Sequence, residues 1–234
     1  MQATGGIRIG LTVGLIALWS LSGALLVGCG KSSVVGVHQQ LVLEPPLDAQ
    51  NRFRVYGETG QPAPFIPHGW MPEEAATVIT EFDPNCEQTP YAGDRCLAIT
   101  AQWTQSLDWC GVAWITKEQA EDGSPWWGQD PSGNAYDLTG AVELVVHARG
   151  EQGGERVQFK VGILGDKPYG DSTVTPIASD WVTLSTEWQT FTLGLAGHDL
   201  SRMVNGFTWV TSKSKQENGN GGLRVFLDDV YFQF

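Results

Sequence analysis

The clearest periodicity lies in the middle of the chain. From Val142 to Arg149, the residues Val142, Leu144, Val146 and Ala148 point one way, and Glu143, Val145, His147 and Arg149 the other. That period of two marks a half-buried strand. Beyond the turn at 150–154, Val157, Phe159, Val161 and Ile163 alternate with Gln158, Lys160 and Gly162. Two alternating runs about a glycine turn predict a hairpin. Runs of similar texture occupy Val78–Phe82, Cys96–Trp103, Trp109–Thr116, Trp181–Leu184, Trp188–Leu195, Asn205–Thr211 and Leu223–Phe234, separated by Gly, Asp, Asn and Pro. Asp199–Val204, with Asp199 as cap, predicts one helical turn. Some nine short strands with regular turn signals predict an all-β fold, a β-sandwich in preference to a barrel.

The N-terminus has a different texture. Arg8 is the only charge before residue 11, and Leu11 to Val27 is an uncharged apolar run. Its length is near the lower limit for a spanning helix, but it ends in Leu26-Val27-Gly28-Cys29, which resembles the site cut by the bacterial lipoprotein signal peptidase. The expectation is a signal peptide over 1–28 with lipid on Cys29; the alternative is an uncleaved membrane helix. Residues 29–64, rich in Gly, Ser, Gln and Pro with an apolar patch at Leu41-Val42-Leu43, read as a tether with at most one edge strand. The sandwich is expected over 65–234. Gly30 is not the aspartate of the inner-membrane retention pattern, so the expected location is the cell envelope, on the outer membrane where the host has one.

Charge narrows the partners. The chain has 14 Lys and Arg against 26 Asp and Glu, and loss of Arg8 leaves 13 − 26 = −13. Nucleic acid needs a basic face and is excluded as an expected partner. Anionic headgroups would repel this surface as well, which leaves the acyl chains as the membrane attachment. Nine of the ten tryptophans follow residue 28; an indole fills cores or stacks on flat apolar faces such as sugar rings. Cys86, Cys96 and Cys110 allow three single pairings in an oxidising compartment. Cys86–Cys96 is favoured, because the segment between them reads as a turn, whereas Cys110 sits in an apolar strand. The scattered histidines argue against zinc.

The stretches Tyr136–Phe159, Thr183–Phe191 and Val225–Phe232 resemble the galactose-binding-like β-sandwiches, in particular jelly-roll carbohydrate-binding modules grouped near family 11. The resemblance covers roughly 65–234. It implies two antiparallel sheets and a polar sheet face, here His147, Arg149, Gln158 and Lys160, on which an oligosaccharide lies; the same face could simply be solvated. Trp126 and Trp127, adjacent in a Gly/Pro loop, cannot both easily reach a core and join the candidate ligand contacts. Trp109 and Trp209 are included with lower weight. Asp228 and Asp229 interrupt the last strand. The resemblance implies a structural calcium there; Glu81 or Asp83 of an early strand is the candidate further ligand, and a hydrogen-bonded bulge is the alternative.

Catalysis has no constellation to rest on. No pair of carboxylates is spaced along a strand as a glycosidase needs, and no Gly-x-Ser-x-Gly elbow is present. The leading reading is therefore non-catalytic carbohydrate binding. An envelope assembly module that binds other proteins is the second reading, and a polysaccharide-degrading enzyme the third.

Overall fold

The computed structural model describes residues 40–57, 64–116, 126–129, 131, 133–217 and 221–234. The signal peptide over 1–28 and the lipid site Cys29 lie outside the described residues. In chain order the strands are β1 (Val42–Leu43), β2 (Arg52–Tyr56), β3 (Phe65–Met71), β4 (Ile79–Cys86), β5 (Cys96–Gln102), β6 (Trp109–Thr116) and β7 (Ala135–Tyr136). They continue with β8 (Glu143–Gly150), β9 (Arg156–Val161), β10 (Ile177–Ala178), β11 (Val182–Thr183), β12 (Gln189–Gly194), β13 (Asn205–Ser212) and β14 (Gly222–Gln233).

These strands form a jelly-roll β-sandwich of two antiparallel sheets. Sheet I has the order β12-β8-β14-β5-β4, with β2 also paired to β14. Sheet II has the order β10-β9-β13-β6-β3, with β11 also paired to β9. A parallel β1–β7 pair stands apart from both. The alternation sets the core. Leu144, Val146 and Ala148 of β8 and Val225 and Leu227 of β14 face Val112 and Trp114 of β6, Val157 and Phe159 of β9 and Trp209 of β13. Phe53 and Phe65 pack edge-on at 5.7 Å and join the two sheets at one end.

Four sequence expectations need correction. The predicted hairpin is not one, because β8 pairs with β12 and β14 while β9 pairs with β13 in the other sheet. Gly153 and Gly154, at φ 80 and 93, let the chain turn across the end of the sandwich, and the Gly150 and Gly154 amides donate to Ser185 and Leu184 instead of closing a hairpin. Alternation reports that one face is buried; it does not name the partner strand. The expected tether, 29–64, contains β1 and β2, and Phe53 and Val55 of β2 are core residues. Strand β3 was not foreseen at all, since Pro67 and Gly69 break its pattern. Finally, Asp199–Val204 is not helical. Asp199 Oδ1 accepts the Ser201 amide at 3.0 Å in a local turn, the competing use that aspartate makes of its side chain.

A second, smaller cluster covers part of the outer side of sheet II. Ala113 and Ile115 point away from the main core and are buried under Trp126, Leu164 and Val204. Asp171 pins the loop that carries Leu164. Its carboxylate accepts the amides of Val204 at 2.7 Å, Asn205 at 2.8 Å and Leu164 at 2.8 Å. Burial nevertheless pushes this carboxyl up to about 6. The folded state thus holds the proton more tightly than the unfolded chain. The associated stability is fully present below about pH 4 and is lost as pH rises through about 6. Asp171→Asn removes this titration. In urea denaturation the stability of the native protein relative to Asp171→Asn should fall by about 2–3 kcal/mol between pH 4 and pH 7; a constant difference would refute the assignment.

Candidate functional site

The candidate ligand residues do not share one face. On sheet I, His147 and Arg149 point outward, but the β4–β5 loop lies over them. Tyr91 of that loop stacks on His147 with ring centroids 3.8 Å apart and planes 19° apart. Arg149 lies 3.7 Å over the Phe226 ring and donates to the Gln88 carbonyl and the Thr89 hydroxyl, both at 2.9 Å. Trp188 Nε1 donates to the Thr89 carbonyl at 2.8 Å. His147 is buried, and that burial holds its imidazole below the usual range and so uncharged at neutral pH. Both side chains therefore serve as the seat of a loop instead of presenting hydrogen-bonding groups to a ligand.

Three of the candidate calcium ligands are also engaged, each separately. Asp228 accepts the Tyr91 amide at 2.9 Å, the Ala92 amide at 3.1 Å and the Asp229 amide at 2.7 Å. Asp229, at φ 42, forms an ion pair with Arg54. The pair of aspartates sits in a β-bulge, where β14 stops pairing with β5 and begins pairing with β2. Glu81 takes a two-pronged contact from Arg224, with Nε and Nη2 each at 2.8 Å. Those bonds, with one from Thr100, hold the Glu81 carboxyl below its ordinary range. Among the described residues no three His, Cys, Asp or Glu side chains converge as a cation cage. The residues present fit arginine and amide partners, not a metal.

At the base of the same loop, Cys86 and Cys96 are direct partners across β4 and β5, both buried and unlinked in this structure. Burial first, and then the Cys86 thiol alongside, pushes Cys96 up to about 12. Cys110 is a main-core residue.

The outer side of sheet II is where the remaining candidates gather. Along β6, Trp109, Gly111, Ala113 and Ile115 face outward, opposite Cys110, Val112 and Trp114 of the core. Gln158 and Lys160 of β9 face the same side, since Val157, Phe159 and Val161 are inward. One cross-strand row runs Gln158–Val210–Gly111–Met71 and the next runs Lys160–Thr208–Ala113–Gly69. At about 4.8 Å per strand, each row spans roughly 14 Å. Trp127 lies over the second row, and a Cβ on Gly69 would stand 2.6 Å from its ring. Trp109 lies beyond the first row, opposite Ser212, and is 38 % exposed. From Ala113 to Trp109 along the strand is also about 14 Å. Between the two indoles the floor is low and apolar, made of Gly111, Met71 and Val210. A Cβ on Gly111 would meet the Trp209 carbonyl at 2.9 Å, so this position is shaped for glycine.

Two sequence candidates are removed from the site. Trp209 is wholly buried between the sheets. Trp126 is 2 % exposed, its ring packed so closely on Gly133 that a Cβ there would be 2.2 Å away. A loop tryptophan can be buried outside the sandwich because the smaller cluster provides a second apolar pocket. Met71, Gly111 and Val210 were not singled out from sequence, although the alternation of Trp109-Cys110-Gly111-Val112-Ala113-Trp114 places Gly111 beside Trp109. Gln158 is only partly available, since its Nε2 donates to the Ser179 carbonyl at 2.8 Å.

No protein-family model matches the chain, and no curated protein matches it in sequence. Solved structures similar to it include the family 30 carbohydrate-binding module of a cellulosomal cellulase of Clostridium thermocellum, with 17 % identity over 78 % of this chain and 96 % of that one, at a TM-score of 0.48. A family 29 carbohydrate-binding module variant complexed with cellulohexaose is 10 % identical over 77 % and 89 % of the two chains, with a TM-score of 0.42. The family 11 module from Clostridium thermocellum, in complex with a β-1,3-1,4-mixed-linked tetrasaccharide, is 7 % identical over 65 % and 80 %, with a TM-score of 0.40.

Proposed function

We propose that this chain is a non-catalytic carbohydrate-binding lipoprotein of the bacterial cell envelope, and that the outer face of sheet II receives the sugar. One observation carries the reading: Trp109 stands exposed on a strand, beside the side-chain-free floor at Gly111, with Trp127 on the far side of that floor. Flat apolar sugar faces stack on such indoles, while hydroxyls need nearby polar side chains. The Leu26–Cys29 motif supports lipid attachment through Cys29, and export would favour a Cys86–Cys96 disulfide.

Affinity electrophoresis of the full chain in detergent, against a panel of soluble plant, algal and bacterial polysaccharides, tests the sugar reading. Trp109→Ala should weaken retention about 30-fold, the effect of losing a central aromatic contact, and Trp109→Phe should restore most of it. The melting temperature should barely move, since Trp109 lies outside the core. Equal retention of the native protein and Trp109→Ala, or none by either, would remove sugar binding at this face.

A further inference from the structure

The two outer faces treat their cations differently. On sheet I three outward arginines are neutralised: Arg52 by Asp48 at 2.9 Å, Arg54 by Asp229, and Arg224 by Glu81 at 2.8 Å and Glu151 at 3.1 Å. The fourth, Arg149, has no ion-pair partner among the described residues and is taken up by the Gln88 carbonyl, the Thr89 hydroxyl and the Phe226 ring. On sheet II, Arg156 and Lys160 share the outward side of β9 with Gln158, and neither has an ion-pair partner among the described residues. Lys213 and Lys215 follow directly on β13 and are likewise without one. The Lys213 amide donates to the Asp108 carbonyl at 2.7 Å, which places this turn next to Trp109. Lys215 Nζ lies 5.8 Å from the Trp181 ring. Asp108 is the nearest acid in sequence to Trp109, yet it forms no ion pair with these lysines. In a chain with 26 acids and 14 cations, unneutralised cations beside an exposed indole are not the arrangement that neutralisation alone would produce.

We propose that the sheet II face takes an anionic glycan, one whose carboxylate or sulfate groups meet Lys160 and the Lys213–Lys215 turn while a ring stacks on Trp109. This rests on the carbohydrate reading above and adds the charge class of the ligand. The negative charge elsewhere on the chain does not forbid it, because at physiological ionic strength exposed charges are screened beyond about 8 Å. A local cationic strip is thus read separately from the net charge.

The test uses the full chain in detergent and three probes on one backbone: a neutral glucan, its uronate form and its sulfated form. The quantity read is the ratio of anionic to neutral retention. That ratio should be about 10 for the native protein at about 0.15 M salt, where the net charge is screened, and fall towards 1 at about 1 M salt, where the screening length is about 3 Å. It should drop about fivefold in the Lys213→Gln, Lys215→Gln double variant, and similarly in Lys160→Gln, whereas Lys160→Arg keeps it. Whichever anionic probe is held more tightly identifies the group. Neutral glucan held as tightly as both anionic forms, with a ratio unaffected by these variants, overturns the anionic assignment and leaves sugar binding standing. Retention of none of the three overturns both.

Discussion

Trp209→Ala should destabilise the protein by about 3–5 kcal/mol, the usual cost of deleting a buried tryptophan. A loss of that size can consume a large share of a domain's whole stability. Trp209 lies between Phe159 and Val112 in register and is fully buried, so a cavity would open between the sheets. Trp209→Phe is the informative companion. The Trp209 Nε1–H is buried and has no hydrogen-bond partner among the described residues. Phenylalanine therefore keeps most of the packing and removes a donor that gains nothing, and its cost should stay near 1 kcal/mol. Trp109→Ala should fall within about 0.5 kcal/mol of the native protein. Urea denaturation of the three variants checks the order; a Trp209→Ala as stable as Trp109→Ala would contradict the packing described.

The second large effect belongs to Asp228→Ala. Three amides converge on this carboxylate, two from the β4–β5 loop and one from the bulge in β14. Removing it should cost about 2–3 kcal/mol, because the donors stay half-buried without an acceptor. The loss should also be local. Hydrogen exchange at Tyr91 and Ala92 should accelerate by about 100-fold, while amides of β13 slow to exchange in the native protein remain protected. Trp188 and Arg149, which hold the same loop through Thr89, should loosen with it. Asp228→Asn keeps one acceptor oxygen and should sit between the two. Unchanged protection at Tyr91 and Ala92 would mean that the loop is held by Arg149 and Trp188 alone.

The strands were legible in sequence wherever alternation was strong, as in β6, β8, β9, β13 and β14. What alternation could not supply was pairing. His147 and Lys160 look like neighbours along the chain, yet they occupy opposite outer faces, because a period of two fixes which side of a strand is buried and says nothing about which sheet receives it. Burial of the tryptophans was similarly hidden. Trp126 resembled an exposed residue because a loop was expected to be wet, and only the apolar pair Ala113 and Ile115 on the outward side of β6 could have signalled a second pocket. Asp228 and Asp229 were rightly marked as unusual. Their chemistry depended on Arg54 and on the amides of Tyr91 and Ala92, more than a hundred residues away, which no local pattern reports. Trp109, Trp127, Gln158 and Lys160 each stand out in sequence by their own chemistry, and the fold brings these four to the outer side of sheet II.

Strand β14 lies between β8 on one side and β5 and then β2 on the other. It is also the last of these strands to be synthesised. Until residues 222–233 have emerged, β8 and β5 present open hydrogen-bonding edges to each other's side of an empty slot, and Leu97, Ile99, Leu144 and Val146 have no strand between them to close the sheet. Sheet I therefore cannot close before residues 222–233 have been made, and that closing step joins β14 to β5 and β2, both more than a hundred residues away, which makes the reaction slow. Open edges of that kind invite pairing with other chains. For this protein, the risk of aggregation is concentrated in the interval before β14 arrives.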